Sequence, residues 1–363
     1  MEERSLAQKL HIDIPLLLGI LVLCIVGLIV LYSASNQNIE LIYRQSIKFA
    51  IAIAVMLLIA QLSPAEIARW SVGIYILGIL LLITVIFFGD VGKGAQRWLD
   101  IGIFRFQPSE LMKLAVPMMI AYYLADKSLP PSMIRLFLVI LFIAAPVLLI
   151  AKQPDLGTSL LVATAGFSVL FIAGISWRLL SALGILAAAA APLLWYFMHE
   201  YQKKRVLTFL NPENDPLGAG YHTIQSKIAI GSGGFYGKGW LNGTQSHLEF
   251  LPERSTDFIF AVLCEEFGLI GVLFVIFIYL FIISRSLYIA VNSQHTFGRL
   301  LASGITLTFF VYIFVNMGMV TGQLPVVGIP LPLISHGGTS IVTLMAGFGI
   351  LMSIHTHRRF LSF

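Results

Sequence analysis

Residues 14–31 read IPLLLGILVLCIVGLIVL, an uninterrupted run of 18 residues without a charged side chain. A helix needs about 20 mainly apolar residues to cross a bilayer, because hydrocarbon tolerates only a backbone whose hydrogen bonds are closed internally. The run also exceeds the roughly 7–15 residues of a cleavable signal core. This stretch therefore predicts a retained membrane-spanning helix.

The same pattern continues along the chain of 363 residues, of which 58% are hydrophobic and only 11% charged. Such a composition excludes an ordinary soluble domain. We expect an all-α, polytopic membrane protein, a single helical-bundle domain over residues 1–363 with one large loop at 199–256. The ten predicted transmembrane helices cover residues 14–33, 45–62, 72–88, 109–125, 134–151, 156–174, 178–198, 257–283, 297–320 and 340–355.

Several familiar chemistries find no support in the sequence. The motifs HExxH, GxSxG, SxxK, Walker A and the Rossmann fingerprint are absent, and we expect no nucleic-acid partner. Cys24 and Cys264 both fall in apolar spans, which excludes a disulfide framework or a CxxC site. Function is therefore sought where ionisable residues meet the ends of the spans, since such residues are costly in a bilayer.

The first polar segment covers residues 92–113. Pro108 and Ser109 predict the start of a helix with Ser109 as its cap. Lys113 in the first turns opposes the helix dipole, so it needs Glu110 as an ion-pair partner three residues earlier. Two interpretations stay open: a local ion pair within an interfacial belt, or the buried polar floor of a cavity.

The second segment, KQPDLGT at residues 152–158, joins two apolar runs with almost no loop. Asp155 follows a proline, so it is a candidate cap for the next helix and a candidate ion-pair partner for Lys152. Alternatively, both side chains belong to a polar rim at the outer membrane surface.

The third segment is the large loop, which carries Arg205 in a run of three cations and Lys227 in a stretch rich in glycine. Glycine lets backbone amides approach a ligand, and neighbouring cations suit phosphate. The alternative is a flexible amphipathic surface segment.

The fourth segment, LPERSTDFIF at residues 251–260, turns directly from polar loop into an apolar span. Asp257 at this junction fits an ordinary helix cap. It also fits a carboxylate that stays ionised beside the positive helix end and accepts a proton or holds a cation.

Five motifs follow one another along the chain: GAQRWL at 94–99, FQPSE at 106–110, QPDLGT at 153–158, TDFIFA at 256–261 and a closing run at 316–340. Together they resemble the SEDS family of RodA, FtsW and SpoVE, and the short termini are closer to RodA than to FtsW. Gln323 and His336 depart from the usual closing motif, where an aliphatic residue and Tyr, Ser or Ala are expected. These departures bear on local packing more than on activity.

The resemblance implies a ten-helix peptidoglycan glycosyltransferase that polymerises lipid II on the outer face of the cytoplasmic (inner) membrane. Ten spans put both termini on one side, here the cytoplasm, and the loop at 199–256 outside. The growing strand is linked to undecaprenyl diphosphate. A class B penicillin-binding protein is the expected partner for crosslinking, with other membrane proteins of the elongation machinery. The family's catalytic aspartate falls on Asp257.

Inverting transfer needs a base on the acceptor hydroxyl and positive charge on the departing diphosphate. We expect Asp257 to be the base, or the ligand of a divalent cation such as Mg²⁺ or Mn²⁺. Candidate contacts to the diphosphates are Lys113, Lys152, Arg205 and Lys227, and candidate ion-pair residues of the cavity are Glu110 and Asp155. A flippase for lipid-linked precursors and a non-catalytic scaffold are the alternatives.

Overall fold

The computed structural model describes residues 10–92, 95–100, 102, 105–198, 200–214, 219–247 and 253–357. Ten helices of 17 to 33 residues dominate this part of the chain, which confirms the predicted all-α bundle. They are α1 (Ile14–Ala34), α2 (Ile39–Ala60), α3 (Pro64–Phe88), α4 (Pro108–Ala125), α5 (Met133–Lys152), α6 (Leu156–Ile172), α7 (Trp177–Phe197), α11 (Ile259–Val291), α12 (Thr296–Val320) and α13 (Thr339–Thr356).

Two helices begin earlier than their apolar runs suggest, because polar caps extend them. Asn38 accepts a hydrogen bond from the Leu41 amide, so α2 includes charged residues ahead of its apolar part. Ser63 and Glu66 form a reciprocal capping box at the start of α3. Charged residues therefore mark the edge of the hydrocarbon but not the ends of these helices.

Seven of the ten described helices are long and apolar enough to cross a membrane. Of the others, α4 opens on polar residues and α6 has only 17 residues. The central helices are α12 and α13. In an apolar stretch of 18 residues, 67% of α12 and 61% of α13 is buried, whereas the value for α2 is 22%. The exposed side of α2 carries large apolar side chains, as expected for a surface that faces lipid.

The two ends of the described chain meet at one end of the bundle. His11 stacks on His357, with ring centroids 3.9 Å apart, and its Nδ1 lies 3.1 Å from the Thr356 hydroxyl. Asp13 at the start of α1 accepts hydrogen bonds from Arg285 near the end of α11. The beginning of α1 and the end of α13 therefore lie on the same side, as an even number of spans requires.

A small antiparallel sheet, unexpected from the sequence, joins α3 to α4. Its strands are β1 (Asp90–Gly92), β2 (Ala95–Asp100) and β3 (Arg105–Phe106), in the order β1-β2-β3. Leu99 pairs with Phe106 and Asp100 with Arg105. The sheet lies at the end of the bundle where α4 begins.

The predicted large loop is largely helical in its described part. It contains α8 (Glu200–Leu210), a 3-10 turn (Pro212–Asn214), α9 (Ala219–Gly233) and the short α10 (Thr244–His247). The glycine-rich stretch around Lys227 is therefore helical up to Gly233, and Lys227 itself is exposed on its surface. Thr223, Ser226 and Ala229 are spaced three residues apart and are buried, so they form the face of α9 that packs on the bundle, which includes α11.

The segment after α9 docks into a break in α11 at Gly268, whose φ is +61°. The amides of Lys238 and Gly239 donate to the main-chain oxygens of Glu265 and Glu266, each over 3.0 Å. A side chain at Gly268 would overlap the backbone of Gly237, so glycine is required there. The break thus frees backbone groups of α11, and the loop satisfies them.

Candidate active site

A cavity of about 700 Å³ opens at the end of the bundle opposite the two chain ends. The starts of α4, α6 and α11, the end of α12 and the segment at 321–338 meet there because antiparallel helices alternate direction. Five sequence-predicted residues line it: Glu110, Lys113, Asp155, Arg205 and Asp257. Further polar lining comes from Arg97, Arg105, Gln107, Glu253, Thr256, Tyr312 and His336.

Glu110 and Lys113 form the predicted ion pair at the floor of this cavity. Their side-chain atoms are 2.6 Å apart, and each residue is only 6% exposed. Lys113 also donates to the hydroxyl of Tyr312 on α12, and its ammonium lies 4.9 Å from the centre of that ring. The pair is therefore buried between α4 and α12, which favours the cavity floor over the interfacial belt.

The start of α4 differs from the prediction. Gln107 occupies the cap position without a side-chain hydrogen bond, and Pro108 takes the first helical position. Proline fits there because the first helical amide has no partner within the helix. Ser109 is therefore already helical, and its buried hydroxyl has no partner in the described structure. The prediction of Ser109 as the cap is wrong.

Asp155 caps α6, as predicted. Its carboxylate accepts from the amide and the hydroxyl of Thr158 over 3.2 and 3.0 Å. It also accepts from Gln107 over 3.0 Å and lies 3.7 Å from the Nε atom of Arg97. Lys152, by contrast, is exposed at the end of α5 and does not line the cavity. The predicted ion pair of Asp155 with Lys152 is wrong, because Arg97 from the sheet takes that place.

Asp257 lies two residues before the first residue of α11. The cap position belongs to Phe258, whose side chain makes no capping hydrogen bond. The helix-cap interpretation of Asp257 is therefore wrong. One carboxylate oxygen points toward Gly328, where an added Cβ would stand 3.5 Å away. Glycine at this position, with φ of +78°, keeps the wall beside the carboxylate open.

Asn316 on α12 fixes the backbone around Asp257. Its amide donates to the main-chain oxygens of Asp257 and Ile329 over 2.9 and 2.7 Å, and the side chain is completely buried. The hydroxyl of Ser335 similarly donates to the Thr256 main-chain oxygen over 2.6 Å. Two neighbouring segments of the cavity wall are thus tied together at the carboxylate.

Arg205 and Lys227, both from the large loop, are placed differently. Arg205 on α8 lines the same cavity as Asp155 and Asp257. Lys227 on α9 is exposed, and its stem packs over Gly322 rather than into the cavity. The structure thus brings one loop cation to the candidate site and leaves the other outside.

The family model of FtsW, RodA and SpoVE, described as a cell cycle protein, matches residues 12–360. The chain belongs to this family. It is 54% identical to the peptidoglycan glycosyltransferase MrdB of Escherichia coli K12 over 361 residues, covering 99% of this chain and 98% of the relative. The MrdB of Helicobacter pylori 26695 is 37% identical over 357 residues, covering 96% and 91%.

Two solved structures share the FtsW/RodA/SpoVE fold with this chain. A chain from a peptidoglycan synthase complex that coordinates polymerization and crosslinking superposes with a TM-score of 0.83 at 33% identity, covering 94% of this chain and 97% of that one. The Thermus thermophilus rod shape determining protein RodA superposes with a TM-score of 0.72 at 28% identity, covering 94% and 96%.

Three cavity residues of this FtsW/RodA/SpoVE chain were missed as candidates. Arg97 and Arg105 lie in the first polar segment, at 92–113, but only the sheet turns them toward the cavity. Tyr312 has an even weaker signal, a single tyrosine in an apolar span. Arginine beside an apolar span is a signal that could have found the first two.

Proposed function

We propose that this protein is a peptidoglycan glycosyltransferase, which polymerises lipid II into glycan strands for cell elongation and rod shape. The observation that carries the proposal is the Asp257 carboxylate, which lies ahead of the cap position of α11 and lines a large cavity together with several cations. The relatives bearing that activity in their names match the chain over nearly its whole length.

Strand growth joins the 4-hydroxyl of one sugar to the anomeric carbon of another. An α-linked diphosphate becomes a β-1,4 bond, so the reaction proceeds by one inverting displacement. The new carbon–oxygen bond forms as the bond to the diphosphate breaks, and undecaprenyl diphosphate departs. Asp257 accepts the proton of the attacking hydroxyl, the role for which a positioned carboxylate is suited.

The departing diphosphate needs positive charge beside it. Arg205 and Arg105 line the same cavity as Asp257, and arginine binds phosphate oxygens in a two-pronged geometry. Lys113 is less suited, since Glu110 already neutralises it at the cavity floor. Lys113 instead links α4 to α12 through its hydrogen bond to Tyr312.

The site offers one carboxylate, that of Asp257, to a divalent cation such as Mg²⁺ or Mn²⁺. No three His, Cys, Asp or Glu side chains gather into a metal-binding group anywhere in the described ranges. Mg²⁺ commonly uses one or two carboxylates together with substrate phosphates, and Asp257 supplies one such carboxylate. When bound, the ion would neutralise charge on the diphosphate.

We propose that the protein lies in the inner membrane with both termini in the cytoplasm. The cavity and the loop at 199–256 then face the cell exterior, where the cell wall is built. The meeting of the chain ends at the opposite end of the bundle supports this arrangement. A class B penicillin-binding protein and other elongation proteins are the proposed partners, in line with the synthase complex whose chain shares this fold.

The test uses the purified full-length chain, with and without its class B partner, and detergent-solubilised lipid II. Micelles contain no bilayer to flip a lipid across, so glycan strands can arise only by polymerisation. Strands formed by the chain together with a partner whose crosslinking serine is replaced support the proposal. The absence of strands from a well-folded complex contradicts it and leaves the flippase and scaffold alternatives.

A further inference from the structure

Helix α7 packs poorly on the rest of the bundle. Its described side chains from Ser181 to Tyr196 are exposed apart from Ala190, and a Cβ added at Gly184 would meet nothing within 4 Å. Its first turn is better anchored, since Leu179 packs against the hydrophobic core. The helix therefore borders lipid over most of its described surface, and its start is the part that holds it to the bundle.

Two short connections meet beside the start of α7. The connection at 126–132 joins α4 to α5, and the connection at 173–176 joins α6 to α7. A Cβ added at Gly174 would stand 3.5 Å from Cβ of Pro130, so the two connections touch. Both lie at the end of the bundle opposite the central cavity, which is the cytoplasmic end in the proposed orientation.

Three cations surround these connections: Lys127, Arg135 in the first turn of α5, and Arg178 in the first turn of α7. Among the described residues, no carboxylate lies within 4 Å of any of them. Arg135 donates only to the main-chain oxygen and the hydroxyl of Ser128, over 3.4 and 3.1 Å. Lys127 and Arg178 are exposed, as is Asp126. These four charged residues, here called the inner basic patch, carry a net charge of +2.

Apolar side chains continue from the inner basic patch toward the hydrocarbon. Ile134, Phe137 and Leu141 are between 51% and 78% exposed, and their spacing puts them on one face of α5. Trp177, beside Arg178, is 75% exposed, and its ring meets that of Phe171 edge-on at 6.3 Å between centroids. Tryptophan is enriched at the level of lipid head groups. Cations at head-group level above an apolar face are the pattern expected for a bound phospholipid.

Cations in short inner loops also have a simpler explanation, because they set the orientation of a membrane protein. That effect needs charge alone and no shared site. The inner basic patch has two further features. Its cations come from two connections that touch, and one of them stands at the start of a poorly packed helix. Basic sites between helices at the cytoplasmic side bind anionic head groups, and arginine binds phosphate in a two-pronged geometry.

We propose that Lys127, Arg135 and Arg178 bind the head group of an anionic phospholipid of the inner leaflet, which ties the start of α7 to the connection between α4 and α5. The acyl chains then lie against the apolar face of α5. A head group with two phosphates, such as that of cardiolipin, matches cations that come from two connections. This inference goes beyond the proposed glycosyltransferase function and does not depend on it.

The test measures lipid binding to the purified full-length chain in detergent by native mass spectrometry. Cardiolipin is compared with phosphatidylethanolamine, whose head group has no net charge. The double variant Arg135→Gln with Arg178→Gln removes two of the proposed contacts. Loss of a charge-assisted hydrogen bond corresponds to about tenfold in affinity, so this variant should bind cardiolipin at least tenfold more weakly.

Arg69→Gln is the matched control. It removes an exposed arginine at the same end of the bundle, where Glu66 lies three residues earlier on α3. This variant should bind cardiolipin as the wild type does. An equal loss in Arg69→Gln overturns the site, because any inner cation would then serve. Cardiolipin binding no tighter than that of phosphatidylethanolamine, or equal in the wild type and the double variant, also overturns it. Arg178→Gln alone, at an exposed position, gives the same comparison if the double variant does not fold.

Hydrogen exchange separates a lipid from a protein as the occupant of the inner basic patch. Cardiolipin should slow amide exchange at residues 175–182 about tenfold in the wild type and leave the double variant unchanged. If the class B partner protects these residues in lipid-free detergent and cardiolipin does not, a protein covers the patch and the lipid proposal fails.

Discussion

The side-chain amide of Asn316 donates a 2.9 Å hydrogen bond to the main-chain oxygen of Asp257 and a 2.7 Å bond to that of Ile329. A single buried amide thus sets the distance between the segment that carries the candidate base and the opposite wall of the cavity. The position of the Asp257 carboxylate therefore depends on these two hydrogen bonds.

Asn316→Leu should therefore impair both stability and polymerisation. Each buried carbonyl that loses its donor costs about 1–3 kcal/mol. We expect a lower melting temperature in detergent and a reduced rate of strand synthesis. Asn292→Leu is the matched control, because that exposed amide bonds only within α11 at the other end of the bundle. A variant at Asn316 with normal melting and normal synthesis would show that the contact does not matter.

Asp257→Asn should abolish polymerisation and leave folding intact. Asp257 lies ahead of the cap position of α11, and Asn is nearly isosteric with Asp, so the change chiefly removes charge and proton-accepting ability. General-base contributions are on the order of 10²–10⁴ in rate. The measurement is strand synthesis from lipid II at equal partner and cation concentrations, beside a melting curve. Asp126→Asn, at the far end of α4, should behave as the wild type. Near-normal synthesis by folded Asp257→Asn contradicts the assignment.

Single changes at Glu110 or Lys113 should be more damaging than exchanging the two. Removing one partner of a buried ion pair costs about 3–5 kcal/mol. The double variant Glu110→Lys with Lys113→Glu restores the pair, and the new carboxylate can accept a hydrogen bond from Tyr312. Rescue is expected to be partial, because a lysine in the first turn opposes the helix dipole. If melting recovers and synthesis does not, these side chains contact substrate directly.

Lys238→Met should loosen the loop that docks on α11. Glu265 is fully buried and accepts from Lys238 over 2.7 Å, and from Thr244 and the Gln245 amide over 3.0 Å each. Without the cation, the carboxylate keeps two weaker donors. Hydrogen exchange at residues 234–245 should accelerate by at least tenfold. Lys203→Met, which breaks an exposed pair with Glu200, is the control and should change little.

The helices of this protein were predictable, because the need to span a bilayer leaves a clear signal in the sequence. Runs of about 20 apolar residues specify spans, and the spacing of Glu110 and Lys113 specifies their pairing. Helix order then brings the starts of α4, α6 and α11 to one end, which is why five candidate residues meet in the cavity.

The remaining contacts depend on tertiary packing. Asp155 was assigned to Lys152 because the two are close in sequence, yet the sheet brings Arg97 nearer. Lys227 has a suitable charge in a suitable loop, but its position on α9 turns it away. Asp257 precedes an apolar run as a cap would, and only the backbone shows that the helix begins later. Local sequence patterns do not show which residue from a distant part of the chain will lie beside a given side chain.

The break in α11 at Gly268 has a mechanical consequence. The loop amides that satisfy Glu265 and Glu266 cannot leave without exposing carbonyls that nothing else pairs, so the loop and the first turns of α11 move as one piece. Asp257 stands just ahead of that piece, whose helical part from Ile259 to the break at Gly268 is about 13 Å long. A neighbouring protein that displaced the loop would therefore also displace the Asp257 carboxylate.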